Sequence, residues 1–517
     1  MRPVDFFDRG AALYPDHACF HDGERTYSYR SVQGMTHRIA QALLAGGIAK
    51  EAKVAVYGPN SVRSLECVLG IMRSGAVWVP INVRNTVEEN IRVLQATDCE
   101  WLFYHSWFEC QAEEVRAQVP GIKQLVCIDA EGRHAGCLDS WVSGFSGLAP
   151  YVEQGPHSVA AISATGGTTG APKAVVLTHL NVETMASNFI ACMPYEEPPV
   201  HLVVAPITHT AGVICLPLMA YGATNIMMAI PDLDTILAYI ERFKVTTLFL
   251  PPTVIYMLLQ HPKVREYDYS SLRYFLYGAA PMSVEKLKEA IEVFGPVMAQ
   301  AFGQTEAPIM CTFLSPKDHL VIGDPGKEKR LRSCGRPTLL TQVEIMDDAG
   351  NLLGPGQTGE VVVRGNLVMK EYYRNPEETE KVSAHGWHHT GDVGYKDEDE
   401  YVYLVDRKKD MIITGGFNVY PNEVEQVVLA HPAVQECAVI GVPDEKWGEA
   451  VKAVIEVKPG MNVVEGDLIA FCKERLGGVK APKSVEIWDS LPRSAVGKVL
   501  KKEIRKKFWE GQERMIS

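Results

Sequence analysis

The chain has 517 residues, more than one hydrophobic core usually serves, so its length predicts at least two domains. Hydrophobic residues make up 46% of it and charged residues 22%, as in ordinary globular proteins. The formal net charge of -12 argues against nucleic-acid binding, which would need a basic surface.

The twelve cysteines are scattered, with no two within four residues of each other. Paired zinc-ligand spacings are therefore absent, and a disulfide framework is not expected in so long a chain. Asp5 and Asp8 stand where a secretion signal would need an apolar core. We therefore predict a protein of the reducing cytoplasm.

In chain order, the first strong signal is the segment SATGGTTGAPKA at residues 163–174. The apolar runs VAAI and AVVL flank it, which predicts two strands joined by a loop. Glycines let backbone N–H groups turn inward, while threonine hydroxyls and Lys173 add donors and charge, so the loop suits a polyanion. It is not a Walker A loop, because Ala171 and Pro172 separate Gly170 from the lysine. A surface hairpin without a ligand is the alternative.

The stretch from Pro198 to Pro231 contains no Asp, Glu, Lys or Arg. A membrane-spanning helix needs about 20 mainly apolar residues, and Pro206 and Pro217 interrupt this stretch. We predict instead a buried strand, a polar turn, a helix and a second buried strand.

Helical spacing of apolar residues then predicts a helix over 233–243, followed by the strand VTTLFLP. Ser283 is predicted to cap a further helix before the strand VMAQAF. Such alternation predicts an α/β fold, with helices on both faces of the sheets and ligands at the C-terminal ends of strands.

Around residue 400 the charge density rises and paired glycines appear. The helix–strand–strand–helix pattern between residues 422 and 476 predicts a small α+β domain. We place the N-terminal domain at 1–406, a hinge at 407–410 and the C-terminal domain at 411–517. The basic segment LKKEIRKKF near the C-terminus is predicted to be a solvated helix face.

Six further motifs follow the glycine-rich loop in chain order: PITHTAG (206–212), YGAAP (277–281), FGQTE (302–306), HTGDVG (389–394), DRKKDMIITGGFNVYPNEVE (406–425) and LPRSAVGK (491–498). Together they resemble the adenylate-forming family of acyl- and aryl-CoA synthetases, luciferases and peptide-synthetase adenylation domains. The resemblance covers nearly the whole chain. It implies a large N-terminal domain of α/β-layered sheets and a small mobile C-terminal α+β domain.

The resemblance also implies a chemistry. A carboxylate is a poor acyl donor, and transfer of AMP from ATP converts it into a mixed anhydride that a thiol can attack. Negative charge concentrates at the α-phosphate, so catalysis is chiefly positioning and cationic stabilisation. The implied cofactors are ATP, Mg²⁺ and coenzyme A.

By this resemblance the glycine-rich loop holds the β- and γ-phosphates through Thr165, Gly166, Gly167, Thr168, Thr169, Gly170 and Lys173. The chain departs from the family pattern where Gly166 replaces a usual Ser and Ala174 a usual Gly. Glu306 resembles the Mg²⁺ carboxylate and Thr305 an α-phosphate contact. An isolated Thr-Glu pair would more often be an exposed helix start.

The residues implied in the adenine and acyl pockets are Gly278, Ala279, Ala280, Pro281, Phe302 and Gly303. Phe302 replaces the Tyr usual in its motif. Asp392 resembles the carboxylate that accepts the ribose hydroxyls, with Arg407 as its partner. The alternative for Asp392 is an ordinary turn aspartate.

The remaining implied residues serve the two half-reactions. His209 resembles the gate between the acyl pocket and the thiol tunnel, although a buried core histidine is the alternative. Lys498 resembles the lysine that reaches the carboxylate and the α-phosphate, against the alternative of a solvated lysine. Lys409 matches the hinge of the small domain, and Gly415 and Gly416 would line the pantetheine tunnel.

The sequence therefore predicts an ATP-dependent carboxylic acid:CoA ligase. One alternative is an adenylation enzyme that loads a separate carrier protein, and another is a non-catalytic nucleotide or acyl-adenylate binder. Nothing positive supports a luciferase-like oxygenase. The resemblance leaves a homodimer open.

The acid itself is not specified by the motifs. The absence of Lys and Arg from Pro198 to Pro231 disfavours a dicarboxylate, whose second charge would need a buried cation. Small residues leave room for a medium or long aliphatic chain, or for an aryl or polycyclic acid. Candidates for contacts with the nucleotide end of CoA are Arg84, Trp447 and Lys483.

Overall fold

The computed structural model describes residues 1–131, 136–165, 173–444, 446–493 and 499–509. Strands and helices alternate along most of these residues, which confirms the predicted α/β fold class. Within the described residues, no helix combines the length and apolarity needed to cross a bilayer. All twelve cysteines are free thiols.

The strands of the N-terminal part are β1 (Ala18–His21), β2 (Thr26–Ser28), β3 (Lys53–Tyr57), β4 (Val77–Pro80), β5 (Cys99–Tyr104), β6 (Gln124–Cys127), β7 (Val159–Thr165), β8 (Lys173–Thr178), β9 (Val200–Val203), β10 (Thr224–Met227), β11 (Thr247–Leu250), β12 (Tyr274–Gly278), β13 (Met298–Phe302), β14 (Thr312–Leu314), β15 (Arg336–Pro337), β16 (Gln342–Met346), β17 (Gly359–Arg364), β18 (Glu371–Tyr372), β19 (His388–Lys396) and β20 (Val402–Arg407). The remaining strands are β21 (Ile412–Thr414), β22 (Phe417–Val419), β23 (Val434–Asp444), β24 (Gly448–Val457) and β25 (Ser484–Ile487).

The α-helices are α1 (Pro3–Leu13), α2 (Tyr29–Ala45), α3 (Val62–Ser74), α4 (Val87–Ala96), α5 (Glu109–Gln118), α6 (Leu138–Val142), α7 (His179–Cys192), α8 (Thr210–Met219), α9 (Leu233–Arg242), α10 (Pro252–Leu259), α11 (Val284–Phe294), α12 (Pro316–His319), α13 (Pro376–Val382), α14 (Pro421–Leu429), α15 (Glu465–Lys480) and α16 (Lys501–Lys506). A 3₁₀ turn at Lys408–Asp410 separates β20 from β21. As predicted, Ser283 caps α11 by accepting the N–H of Lys286.

Two large sheets, mostly parallel, carry the N-terminal part. One has the order β15-β14-β13-β12-β11-β9-β10-β1-β2, and the other β18-β8-β7-β4-β3-β5-β6. The predicted strand–turn–helix–strand arrangement of residues 198–231 is confirmed as β9, α8 and β10, with β9 and β10 parallel neighbours. In parallel sheets the C-terminal ends of strands meet at one edge, so the loops that follow the parallel neighbours β12 and β13 lie side by side, while the loop after β7 belongs to the other large sheet.

The two smaller sheets are antiparallel over most of their length and come later in the chain. One has the order β16-β17-β19-β20, and the other joins β22-β21-β24-β23 with β25 beside β24. The last sheet contains only strands after Asp410, and α14 and α15 pack on it around buried residues such as Val424, Ile455 and Leu468. The boundaries 1–406, 407–410 and 411–517 stay predictions, to which this separate sheet lends support.

The largest buried apolar cluster joins the two large sheets through α2, α3 and α8. It includes Val56 and Phe103 from one sheet and Phe20 and Val203 from the other. The helix α3 begins at its cap Ser61, whose hydroxyl accepts the N–H of Ser64, and ends before Gly75 at φ +82°. These local signals fix the position of α3 between the sheets, next to α8.

Candidate functional site

The glycine-rich segment joins β7 to β8, as predicted. The two strands are antiparallel, and Thr165 is the register partner of Lys173. The residues Gly166, Gly167, Thr168, Thr169 and Gly170 lie outside the described residues, as does the side chain of Thr165. Lys173 lies at the first position of β8, where its Nζ pairs with Glu378 and stands 5.1 Å from the ring centre of Tyr372. The hydrogen bond from Lys173 lowers the pKa of Glu378.

The carboxylate of Glu306 is held from one side. The hydroxyl of Tyr372 donates to Oε1 of Glu306 at 2.7 Å, and the backbone carbonyl of Glu306 accepts the N–H of Met369 at 2.7 Å. Thr305 and Glu306 lie in a bend after β13, not at a helix start. Burial, with the adjacent carboxylate of Glu306, raises the pKa of Tyr372, so this hydroxyl stays a donor. Tyr372 therefore fixes one oxygen of Glu306.

The ribose candidate Asp392 is buried and is held by two neighbours. It lies in β19 opposite Arg407 of β20, and Nε of Arg407 is 2.6 Å from its Oδ1. The amide of Gln304 donates to Oδ2 of Asp392 at 2.9 Å and to the carbonyl of Thr390 at 2.8 Å. The predicted Asp392–Arg407 pair is therefore present in the structure. Asp392 belongs to a strand and is not a turn aspartate.

His388 extends this set of contacts toward Glu306. Its Nε2 donates to Oε1 of Gln304 across 3.4 Å, and the residue is 4% exposed. Its Nδ1 has no hydrogen-bond partner among the described residues. Desolvation lowers the pKa of His388, while the negative charge of Glu306 opposes that shift. The motifs FGQTE and HTGDVG are thus linked through Gln304 into one cluster.

The backbone is close-packed around the proposed adenine site. A Cβ on Gly278 would lie 2.5 Å from the carbonyl oxygen of Ala301, and one on Gly303 would lie 2.4 Å from the nitrogen of Ile309. Ala279 has φ +64°, a left-handed conformation that costs free energy in a residue other than glycine. Ala279 and Pro281 are exposed, whereas Gly278 and Met282 on either side of the turn are buried.

His209 stands at the N-terminus of α8, and it is exposed rather than a buried core histidine. Desolvation by the surrounding protein, with the nearby charge of Arg84, lowers the pKa of His209. The imidazole is therefore neutral at neutral pH.

An apolar cavity begins beside this cluster. Its lining includes Thr208 next to His209 and Pro308 two residues after Glu306, and it continues between α3 and α8. Gly212, the last residue of the PITHTAG motif, lines it as well. The interior space that a water-sized sphere can occupy is about 70 Å³, so the cavity is narrow and its side chains would have to move apart to admit a ligand.

Salt bridges join α16, the helix that follows the segment of Lys498, to the predicted hinge at 407–410 and to α14. The guanidinium of Arg505 lies 2.8 Å from Asp410, and Nζ of Lys501 lies 2.8 Å from Glu425. Burial disfavours the charge of Lys501, but the carboxylates around it outweigh that effect and raise its pKa. The prediction of a solvated basic helix was therefore wrong for these two residues of α16, because buried acidic partners hold them.

The paired glycines form the turn between β21 and β22. Gly415 has φ +57° and Gly416 φ +81°, conformations that favour glycine. A Cβ on Gly415 would lie 2.6 Å from the ring of Trp447, whereas one on Gly416 would meet open space. Trp447 is partly exposed over this turn. Lys409 lies in the 3₁₀ turn, and Lys498 lies outside the described residues.

Three residues that organise the site were missed in the sequence analysis: Gln304, Tyr372 and His388. Gln304 lies inside the FGQTE motif, between the named residues Gly303 and Thr305, so the sequence did offer a signal for it. Tyr372 and His388 carry no local signal, since each acts through a residue more than 60 positions away.

Comparison with known proteins identifies the family. The sequence model of "AMP-binding enzyme" matches residues 7–373, and that of "AMP-binding enzyme C-terminal domain" matches residues 423–498. The chain is 42% identical over 368 residues to a medium/long-chain-fatty-acid–CoA ligase of Mycobacterium tuberculosis, an alignment that covers 70% of this chain but only 63% of that relative.

Two further relatives are similar over nearly their whole length. A fatty acid–[acyl-carrier-protein] ligase of Streptomyces coeruleorubidus is 33% identical, with 95% of this chain and 94% of that protein covered. The solved structure of an amide bond synthetase from Marinactinospora thermotolerans is 29% identical, with a TM-score of 0.89 over 98% of this chain and 100% of that one. The chain therefore belongs to the adenylate-forming family of AMP-binding enzymes and is an acid–thiol ligase of the AMP-forming acyl-CoA synthetase type.

Proposed function

We propose that the protein is an ATP-dependent carboxylic acid:CoA ligase that works in two steps on one site. In the first step a carboxylate oxygen attacks the α-phosphorus of ATP, and pyrophosphate leaves. In the second step the CoA sulfur attacks the acyl carbon, and AMP leaves while the thiol proton is lost to solvent. The observation that carries the proposal is the connected set Gln304, Asp392 and Arg407, with Glu306 two residues after Gln304, beside an apolar cavity.

Within this cluster Asp392 would bind the ribose hydroxyls. Arg407 and Gln304 each engage one of its oxygens, and a carboxylate oxygen has lone pairs left over for further donors. Gly278 and Gly303 lie in close-packed backbone at the ends of β12 and β13, where Phe302 and the 279–281 turn would hold the adenine.

Glu306 would hold Mg²⁺. Tyr372 engages only Oε1, and no described residue donates to Oε2, so one oxygen is available for a metal ion. The described residues contain no group of three or more His, Cys, Asp and Glu that could hold a metal, which fits an ion bound through one carboxylate together with substrate phosphates and water. Bound there, Mg²⁺ would neutralise charge on the phosphates.

The other residues would serve positioning and alternation. Neutral His209 stands between the cavity mouth and the cluster, where it would orient the carboxylate and then border the path of the thiol. Thr305 would contact the α-phosphate, and Lys173 with the glycine-rich loop the β- and γ-phosphates. Rotation about Lys409 would exchange Lys498 for the turn at Gly415 and Gly416.

The acid we propose is an apolar monocarboxylic acid of medium or long reach. The cavity is lined almost wholly by apolar side chains, and burying a second carboxylate there would be costly without a paired cation. The M. tuberculosis relative, named a medium/long-chain-fatty-acid–CoA ligase, supports this class.

The acceptor has two rivals that the comparisons make specific. The Streptomyces relative is named for transfer to an acyl-carrier protein, and the Marinactinospora structure for forming amide bonds. In a carrier-protein ligase a phosphopantetheine arm would enter by the same route as that of CoA, so the described residues fit either acceptor. A non-catalytic binder is disfavoured because Glu306, Asp392 and Arg407 are all retained in contact with partners.

A panel assay tests the function. Straight-chain, aryl and polycyclic acids are incubated with ATP and Mg²⁺, and pyrophosphate release is measured without acceptor, then AMP release with CoA, with a phosphopantetheinylated carrier protein or with a simple amine. We expect acid-dependent pyrophosphate release and the fastest AMP release with CoA. Faster AMP release with carrier protein or amine would replace the proposed acceptor, and no pyrophosphate release with any acid would contradict adenylation.

A further inference from the structure

The cavity follows one face of each of two helices. On α3 its lining residues are Leu65, Val68, Leu69 and Met72, and on α8 they are Gly212, Cys215, Leu216 and Met219. Both sets have the spacing i, i+3, i+4, i+7, which is one continuous helix face over two turns. The cavity therefore follows these two helix faces as a groove, and residues of β4, β7, β8 and α7 complete its lining.

The two helices start at the same end, near the reacting groups. Asn60, just before the cap of α3, accepts the N–H of Ile207 at 2.9 Å and donates to the carbonyl of Ala205 at 3.0 Å. Those residues belong to the PITHTAG segment that leads into α8 through His209. The N-termini of α3 and α8 are thus tied together beside His209.

The parallel strands β4 and β7 line a third side of the cavity, and their direction agrees with that of the two helices. Ser163 and Pro80, toward the C-terminal ends of β7 and β4, line the cavity together with Ala160 and Trp78 nearer their starts. The two strands are parallel, with Trp78 paired to Ala161. The phosphate loop follows β7, so Ser163 is on the side of the reacting groups and Ala160 on the far side.

The helix α1 contacts both helices at the far end of the groove. Asp8 of α1 pairs with Arg73, the neighbour of Met72, at 2.6 Å. Gly10 of α1 packs so closely on α8 that a Cβ there would lie 2.0 Å from the carbonyl oxygen of Met219. The lining of the cavity ends on both helices at these two methionines, next to α1.

The groove has a definite length. From Leu65 to Met72, and from Gly212 to Met219, each helix advances seven residues, or about 10 Å at 1.5 Å per residue. An extended alkyl chain with C–C bonds of ~1.5 Å advances ~1.25 Å per carbon, so about eight methylene groups fill it. This count leaves out the carboxyl group and the carbons between His209 and the mouth of the groove, which add to the length of the acid.

We propose that this groove selects a straight aliphatic acid of roughly eight to twelve carbons, whose tail lies between α3 and α8 and ends at Met72 and Met219. The inference deepens the proposed function and rests on it. A two-turn groove walled by two helix faces and by the alanines of β7 fits a flexible chain along its axis. A fused ring system would have to displace the side chains of both helices at once.

The test is the chain-length profile of kcat/KM for AMP formation with saturated acids of four to sixteen carbons. For the unmodified enzyme we expect a rise to an optimum at roughly eight to twelve carbons, because each buried methylene is worth about a factor of four in binding. Val68→Phe, which fills the middle of the groove, should move the optimum to shorter acids and lower activity with dodecanoate by about tenfold or more. Activity with butanoate should stay within about twofold.

A second variant and a matched control make the test independent of folding. Met72→Ala, at the far end, should move the optimum to longer acids, the opposite direction from Val68→Phe. Ile71→Ala removes a side chain of similar size from the same helix at a buried position outside the lining, and it should leave the optimum unchanged.

The outcomes separate the two levels of the proposal. If the enzyme activates acids but prefers aryl or polycyclic ones, or if Met72→Ala and Ile71→Ala change the profile equally, the groove is not the acyl site and the inference is wrong. If no acid supports AMP or pyrophosphate release in the unmodified enzyme, the proposed function itself fails.

Discussion

Glu306 has one oxygen held by Tyr372 and the other directed away from described donors. Glu306→Gln keeps the shape and the hydrogen bond but removes the charge that would bind Mg²⁺. We expect acid-dependent pyrophosphate release to fall by about two to three orders of magnitude, as for other lost electrostatic stabilisers. Titrating Mg²⁺ in the assay checks the assignment, because the loss should be greatest at limiting metal.

Tyr372→Phe is the matched control for that prediction. It removes the hydroxyl that positions the carboxylate but leaves the charge in place. A loss smaller than that of Glu306→Gln is expected, with a raised requirement for Mg²⁺. If Glu306→Gln turns over normally at low Mg²⁺, Glu306 is not the metal ligand.

Glu66 is a second residue whose environment has a measurable consequence. Burial raises its pKa to about 7, against the opposing charge of Arg63 at 3.0 Å. A carboxyl with a raised folded-state pKa binds protons more tightly when folded, so its stabilising effect is present at low pH and is lost as pH rises from about 4.5 to about 7. Glu66→Gln should remove this loss, which amounts to roughly 3 kcal/mol across that window.

Thermal unfolding of both proteins at pH 5 and pH 7.5 measures this effect. The Tm of Glu66→Gln relative to the unmodified protein should rise between the two pH values. A Tm difference that is the same at both would show that Glu66 titrates normally in the folded state.

At this scale, the sequence predicted residues that lie inside compact motifs and missed those that act across the chain. The resemblance implied Arg407 as the partner of Asp392, and the two residues are in contact across β19 and β20. Tyr372, His388 and Asn60 could not be found, since each acts by a contact that only the folded sheets create. The side chains of the phosphate loop and Lys498 stay predictions.

At the scale of elements, apolar periodicity was sufficient for most strands and helices. The antiparallel pair β7–β8 and the β9–α8–β10 unit follow directly from short apolar runs bounded by glycine and proline. The prediction failed for α16, whose basic residues suggested solvent. Lys501 and Arg505 instead pair with Glu425 and Asp410, and such partners cannot be inferred from local charge alone.

The 3₁₀ turn at Lys408–Asp410 is the element on which alternation would depend. A proline fixes φ near -65°, a value that a 3₁₀ turn accepts, so Lys409→Pro should hold the turn as it stands. We expect acyl-AMP to form at nearly the normal rate while transfer to CoA falls by at least about tenfold, because the second step needs the rotated domain. Pyrophosphate release and single-turnover thioester formation measure the two steps separately.

Lys409→Ala is the control, since it removes the side chain and keeps the turn free to rotate. It should leave transfer to CoA much faster than Lys409→Pro does. Equal losses in both half-reactions for the proline variant would mean that Lys409 is not a selective hinge.

At the scale of the whole molecule, the proposed alternation assigns different residues of the C-terminal domain to the two steps. Lys498 would neutralise charge only while the carboxylate attacks the α-phosphate. Lys498→Ala should therefore slow adenylation by about two to three orders of magnitude, while transfer from supplied acyl-AMP to CoA stays nearly intact. Both half-reactions are measured on the same preparation, with circular dichroism as the check on folding.

The alternatives give distinct results for that variant. A lysine that merely faces solvent predicts normal rates in both steps. Equal loss in both steps, with normal folding, would contradict a mechanism in which one domain presents two faces in turn.

The single clamp at Asn60 has an evolutionary consequence. It joins the two helices of the proposed acyl groove at the end nearest His209, while Met72 and Met219 lie two turns away. Substitutions at that distant end can lengthen, shorten or reshape the groove without disturbing Glu306, Asp392 or His209. In enzymes with this architecture, a few substitutions on α1, α3 and α8 would therefore be enough to change the acid that is activated. Homologues that activate different acids would still share identical catalytic motifs.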